Sequence, residues 1–247
     1  MNINAVLAAF AATFVMFVST AAGALCVFFI KGRMSERIKS ILMGFASGVM
    51  CAASIWSLLI PSLNESRGLL PTLSGLFFGA LFLMALDRII RKKSFAQGGF
   101  SSLMTAVTLH NIPEGMAVGL AFALAGNSNT AGYAAAAALA FGMCVQNFPE
   151  GMAISLPMHA SGKSKKASFI YGSLSGIVEP IAGVLAALAA YYIKPLMPFF
   201  LSFAAGAMLL VTYSELIPES AGADSFWGSF SALLGFALMM ALDVALG

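Results

Sequence analysis

Two short stretches of this chain carry side chains able to ligate a metal ion. The first is His110-Asn111-Ile112-Pro113-Glu114-Gly115-Met116-Ala117, and Gln146-Asn147-Phe148-Pro149-Glu150-Gly151-Met152-Ala153 repeats it with only the first and third residues changed. The first and fifth positions of each motif are i and i+4 on a helix, so their side chains stack on one face. The asparagine at the second position lies about 100° around, within the same broad stripe. Each helix would thus present His or Gln, Asn and Glu along one line. A third stretch, Gly176-Ile177-Val178-Glu179-Pro180, adds a glutamate beside a proline. The candidate ligands are His110, Asn111, Glu114, Gln146, Asn147, Glu150 and Glu179. One imidazole, three carboxylates and several amide oxygens make a borderline-hard N/O set. It suits Zn²⁺, Fe²⁺, Mn²⁺, Co²⁺ or Cd²⁺. The histidine makes it poor for Ca²⁺, and the lack of a thiolate makes it poor for Cu⁺.

Each candidate also has a plainer reading. A lone histidine can be a packing residue, and the asparagines can be hydrogen-bonding glue between helices. The duplication, with Glu114 four residues beyond His110, favours ligation. Met50 reads as apolar packing before it reads as a soft ligand, and His159 as a solvated helix end. Cys26, Cys51 and Cys144 lie far apart in apolar runs without a CxxC pair, so neither disulfides nor a thiolate zinc site is expected. Pro113 and Pro149 remove backbone donors, leaving the Leu109 and Val145 carbonyls without them, and the helix can kink there. The glycine after each glutamate lets another helix come close.

The surroundings of these motifs are apolar. Apolar residues make up 60% of the 247, charged residues only 9%, and the mean hydropathy is +0.92. A soluble domain usually carries about 25% charge. A membrane span needs about 20 apolar residues. The expected architecture is all-α, with eight spans: Ala5–Ile30, Ile41–Leu63, Leu69–Leu86, Leu103–Ala125, Gly132–Met158, Ala167–Ile193, Leu196–Ile217 and Phe226–Leu246. They form a single transmembrane domain over 1–247. Intramembrane carboxylates are costly, at roughly 2.5–3.5 kcal/mol for a charged residue on insertion scales. No Lys or Arg lies mid-span to pair with them, so a cation is the natural partner.

Orientation follows the basic residues. Of the 13 Lys and Arg, all but Arg67 and Lys194 fall in the loops after spans 1, 3 and 5. These are Lys31, Arg33, Arg37 and Lys39, then Arg88, Arg91, Lys92 and Lys93, then Lys163, Lys165 and Lys166. Those loops are expected in the cytoplasm and both termini outside. Met1–Phe10 carries no basic residue and its apolar run is too long for a signal peptide, so it is read as a span. Basic loops beside spans are topological signals, and no nucleic-acid partner is expected.

Repeats organise the chain. Phe45-Ala-Ser-Gly48-Val-Met50 with Leu59-Ile60-Pro61-Ser62 in span 2 matches Phe203-Ala-Ala-Gly206-Ala-Met208 with Leu216-Ile217-Pro218-Glu219 in span 7. Met84-Ala85-Leu86-Asp87 ends span 3 as Met240-Ala241-Leu242-Asp243 ends span 8. Together with the motifs of spans 4 and 5, these pairs run in opposite directions on the topology above. The expected inverted repeats set spans 1–3 against 6–8 and span 4 against span 5, as in many secondary transporters.

On these motifs the chain resembles the ZIP (ZRT/IRT-like protein) family, in its prokaryotic GufA/ZupT-type branch. The resemblance covers the whole chain. It implies zinc uptake into the cytoplasm through the inner (plasma) membrane, with iron, manganese, cobalt and cadmium as further substrates. It implies one metal site of His110, Glu114, Gln146 and Glu150, and a neighbouring one of Asn111, Glu114, Asn147, Glu150 and Glu179. Some relatives place a methionine at the Met50 position. Many members have histidine where Gln146 stands and some have aspartate where Asn147 stands, so the second site here lacks a charge. The family's histidine-rich loop is absent, because Arg88–Gly99 contains no His. The expected partners are divalent metal ions and the lipid bilayer, with a homodimer allowed and no organic cofactor. Competing readings are a selective metal channel, a transporter of another family, and an intramembrane metalloenzyme. The last would need an HExxH motif or many histidines, and this chain has 2 histidines. There is also no P-loop for ATP-driven transport.

Overall fold

The structure is a computed structural model that describes residues 2–30, 34–66, 68–94, 100–126, 130–192, 194–222 and 225–246. Lys31, Arg33, Arg67 and residues 95–99 of the loop after span 3 lie outside the described residues, as do the side chains of Arg91, Lys92 and Lys93. All regular structure among the described residues is helical.

Helix α1 (Ile3–Leu25) starts at Asn2, whose side chain accepts from the Ala5 N–H, and ends in a 3-10 turn, Cys26–Phe28. Helix α2 (Glu36–Ala53) is capped by Ser35 and passes through a π-helical turn, Ser54–Leu59, into α3 (Ile60–Glu65). Then come α4 (Leu69–Ser94), α5 (Phe100–Ala125) and α6 (Thr130–Ala160). Helices α7 (Lys165–Leu174) and α8 (Val178–Tyr192) are joined by a 3-10 turn, Ser175–Ile177, just before Pro180. Helix α9 (Met197–Val211) leads through a second π-helical turn, Thr212–Leu216, into α10 (Ile217–Ser220), and α11 spans Ser225–Leu246.

Six helical runs among the described residues are long and apolar enough to cross a membrane: Ile3–Phe28, Glu36–Glu65, Leu69–Ile89, Lys165–Tyr192, Lys194–Ser220 and Phe226–Leu246. The chain is a multi-pass membrane protein. Its burial pattern agrees, since Phe77, Phe78, Leu81 and Phe82 of α4 are exposed while glutamates are buried. In a bilayer that inversion is favourable, whereas in water the exposed apolar faces would be a cost. Helices α5 and α6 fall outside the six because His, Asn, Gln, Glu and Pro interrupt their apolar runs. Both continue unbroken through Pro113 and Pro149. Helix α4 runs past Leu86 to Ser94, so Arg88, Arg91, Lys92 and Lys93 belong to its last turns and not to a loop.

Helices pack in four close pairs: α2 along α11, α4 along α9, α1 along α6, and α5 along α8. Exchanging the repeat-related segments maps the first pair onto the second and the third onto the fourth, so the pairing follows the sequence repeat. The π-helical turns resolve a detail of that repeat. The first halves of the two matches differ by 158 positions and the second halves by 157. The extra residue is taken up where the turn is six residues long in one copy and five in the other. A π-bulge is how a helix absorbs an inserted residue without breaking.

Candidate functional site

All seven predicted ligands are buried. His110 and Glu150 are 7% and 9% exposed, and the other five are within 1% of full burial. Two glycines let the helices come together around them. A side chain on Gly115 would run into the Glu179 backbone, and one on Gly151 would meet the Thr20 carbonyl oxygen at 2.0 Å. The expected role of the glycine after each glutamate is therefore observed: α8 is held against the first motif and α1 against the second.

The residues divide into two groups. In the first, Glu179 Oε1 accepts from Asn147 Nδ2 at 2.9 Å, from Asn111 Nδ2 at 3.1 Å and from Thr20 Oγ1 at 3.4 Å. Asn111 Nδ2 also donates to the Ser175 carbonyl at 3.2 Å, in the 3-10 turn that precedes Glu179. Gln146 Nε2 donates to Asn147 Oδ1 at 2.6 Å, tying the second motif internally. The asparagines thus show Glu179 their NH₂ groups, and not the oxygens a second metal site would use.

The second group is His110, Glu114, Gln146 and Glu150. They line a cavity of about 10 Å³ together with Met43, Ala46, Met50, Val211 and Leu216. That is about the least space that holds one water-sized body. His110 and Glu150 also line a larger cavity of about 670 Å³, bordered by Asp87, Glu215 and Glu219. His110 Nε2 stands 3.3 Å from Glu215 Oε1. At the rim, Lys39 Nζ donates to Glu219 Oε1 at 2.8 Å. Asp243, the repeat counterpart of Asp87, accepts from Ser57 Oγ at 2.6 Å and lines another cavity of about 360 Å³ with Trp56 and Asn64.

Four buried oxygens of the predicted ligands have no hydrogen-bond partner: Asn111 Oδ1, Glu114 Oε2, Glu150 Oε2 and Glu179 Oε2. Unpaired acceptors concentrated in this way are costly unless a cation meets them. Among the described residues, no three His, Cys, Asp or Glu side chains close on a common point. The arrangement is a pair of cavities with part of their lining in common and amide-held carboxylates beside them, not a finished metal cage. Glu215 and Thr20 were missed by reading the sequence. Glu215 lies within span 7 and could have been found as an intramembrane carboxylate, which is a functional candidate by default. His159 behaves as expected, with Nδ1 2.9 Å from the Lys163 carbonyl oxygen at the end of α6.

The ZIP zinc transporter family matches residues 99–243, the part that holds every candidate ligand. The chain belongs to this family. Zinc transporter ZIP11 of Bos taurus is 34% identical across 95% of this chain and 96% of its own length. Zinc transporter GufA of Myxococcus xanthus is 32% identical across 93% of this chain and 95% of its own. Zinc transporter ZIPB of Bordetella bronchiseptica is 32% identical across 94% of this chain and 79% of its own. Membership of the ZIP family sets the chain among transporters and apart from intramembrane metalloenzymes.

Proposed function

We propose that this ZIP protein carries Zn²⁺ into the cytoplasm across the inner (plasma) membrane, with Fe²⁺, Mn²⁺, Co²⁺ and Cd²⁺ as further substrates. The observation that carries the reading is the set of four unpartnered buried oxygens on Asn111, Glu114, Glu150 and Glu179, beside an acidic cavity. In this reading the chain is one transport domain of eight spans. Helices α5 and α6 supply the two crossings outside the six most apolar runs, and both termini lie outside. The basic residues then place the mouth bordered by Asp87 and Glu219 on the cytoplasmic side, and the cavity at Asp243 on the other.

Mechanistically, a dehydrated ion sits among His110, Glu114, Gln146 and Glu150. The imidazole supplies a nitrogen, and the carboxylates supply charge that replaces the water shell. Glu179 contributes after its amide partners turn, so the second position is filled only when the Asn111 and Asn147 oxygens rotate inward. A site without thiolates holds the ion weakly enough to release it. Released ions pass into the acidic cavity, where Asp87, Glu215 and Glu219 attract them. The reading is tested by loading purified protein into liposomes and following Zn²⁺ uptake with an internal fluorescent indicator. Saturable uptake that Cd²⁺ competes for is expected. Flux no greater than through protein-free liposomes would overturn it.

A further inference from the structure

The ion's way from the small cavity to the large one passes a neck made by the residues that line both: Met43, His110, Glu150, Val211 and Leu216. Val211 precedes the π-helical turn Thr212–Leu216 and Leu216 ends it, and neither has a lone pair to offer. His110 and Glu150 offer nitrogen and oxygen. Met43 is 2% exposed and comes from a different helix, α2. Lys39, Met43, Ala46 and Met50 are spaced four, three and four residues apart, so one face of α2 follows the path from the rim of the acidic cavity to the ligand cavity. Lys39 fixes the outer end of that face through Glu219, and Met50 lies at the inner end, away from the large cavity.

The neck is narrow. The space behind it holds about one water-sized body, so an ion cannot cross with its hydration shell intact. Each lost water must be replaced by a lone pair from the wall. With two of the five neck residues purely aliphatic, the thioether of Met43 is the remaining donor. Sulfur is soft, and thioether ligation favours Cd²⁺ and, less strongly, Zn²⁺ over Mn²⁺. We infer that Met43 is a selectivity residue of the passage, a thioether ligand that lowers the barrier for soft ions as they shed water between the two cavities. The inference rests on the transport reading above.

A packing role alone predicts otherwise. Methionine fills irregular gaps in cores, and Leu for Met is among the best tolerated replacements. On that account Met43→Leu changes stability slightly and leaves ion preference alone. The test is the ratio of Cd²⁺ to Mn²⁺ initial uptake rates in proteoliposomes. Met43→Leu is expected to lower the ratio about tenfold, the factor that 1.4 kcal/mol represents. A second pair, Met43→Cys and Met43→Ser, has nearly equal side-chain size but differs in sulfur against oxygen. The cysteine variant is expected to hold the higher ratio. A wild-type ratio in Met43→Leu overturns the inference. If that variant does not fold, equal ratios in the cysteine and serine variants overturn it instead. Wild-type protein that moves no ion would sink the transport reading itself, which separates the two failures.

Discussion

Replacing Gly115 by alanine tests how much the site depends on the contact between α5 and α8. A Cβ at Gly115 would lie 2.4 Å from the Glu179 carbonyl oxygen, 2.8 Å from its Cα and 3.0 Å from its carbonyl carbon. All three are backbone atoms, so no change of rotamer relieves the overlap. Ordinary contact begins at 3.4 Å, so α8 must retreat locally by about 1 Å. The Asn111 to Glu179 hydrogen bond, now 3.1 Å, would stretch to about 4 Å and be lost. Overpacking of this kind costs roughly 1–3 kcal/mol of stability. A misplacement of about 1 Å in a functional constellation can cost on the order of 100-fold in rate. Gly115→Ala should therefore fold, melt lower in detergent, and take up Zn²⁺ at least about tenfold more slowly. Gly68→Ala is the control, because nothing lies within 4 Å of a Cβ there. Wild-type uptake by Gly115→Ala would refute the idea that the α5–α8 contact sets the site.

Glu114→Ala and Glu150→Ala should each abolish uptake while leaving membrane insertion intact, since both carboxylates line the ligand cavity and each has an unpartnered oxygen. Near-normal saturable uptake by both variants in the liposome assay would exclude them as ligands. Asn147→Asp removes the amide that donates to Glu179 at 2.9 Å and sets two carboxylates face to face. A cation between them relieves the repulsion, so this variant should bind metal more tightly, release it more slowly, and gain more thermal stability from added Zn²⁺ than the wild type. Unchanged titration affinity and stoichiometry would argue against Asn147 as a neighbour of bound metal. Loading should release protons and weaken on acidification, because a protonated imidazole or carboxyl does not ligate. Calorimetry in buffers of different ionisation enthalpy reads this directly, and heats that do not depend on the buffer would contradict it.

The i, i+4 spacing of the repeated motifs was enough to put His110 with Glu114 and Gln146 with Glu150 on one face of each helix. The family resemblance implied that the two faces meet, as they do around one cavity. Adjacent glycines told which helix sides would be approached. The orientation of the amides was not legible. Whether Asn147 turns its nitrogen or its oxygen inward depends on Glu179 and the Met16 carbonyl, which come from other helices. The π-helical turns were hidden for a related reason. A single extra residue between two short matches looks like noise in a sequence, and only the backbone shows it absorbed. Glu215 escaped because the repeat that revealed the other residues is apolar there, with Leu58 at the matching position.

That mismatch between the copies bears on direction. A symmetric repeat would build the same mouth on both faces of the membrane. Here one mouth is bordered by Asp87, Glu215 and Glu219, and the matching positions at the other are Asp243, Leu58 and Ser62. Three carboxylates thus oppose one. Lys39 offsets part of the excess through its bond to Glu219, at the rim and away from the neck. In low-dielectric walls such an imbalance focuses the field and draws a divalent cation toward the acidic side. On the proposed topology that side is the cytoplasm, so these departures from symmetry would favour release inward, in line with the proposed uptake. The imidazole of His110 stands 3.3 Å from Glu215 in the lining of the same acidic cavity, so the one nitrogen ligand of the proposed site lies on the side toward which the carboxylates draw the ion.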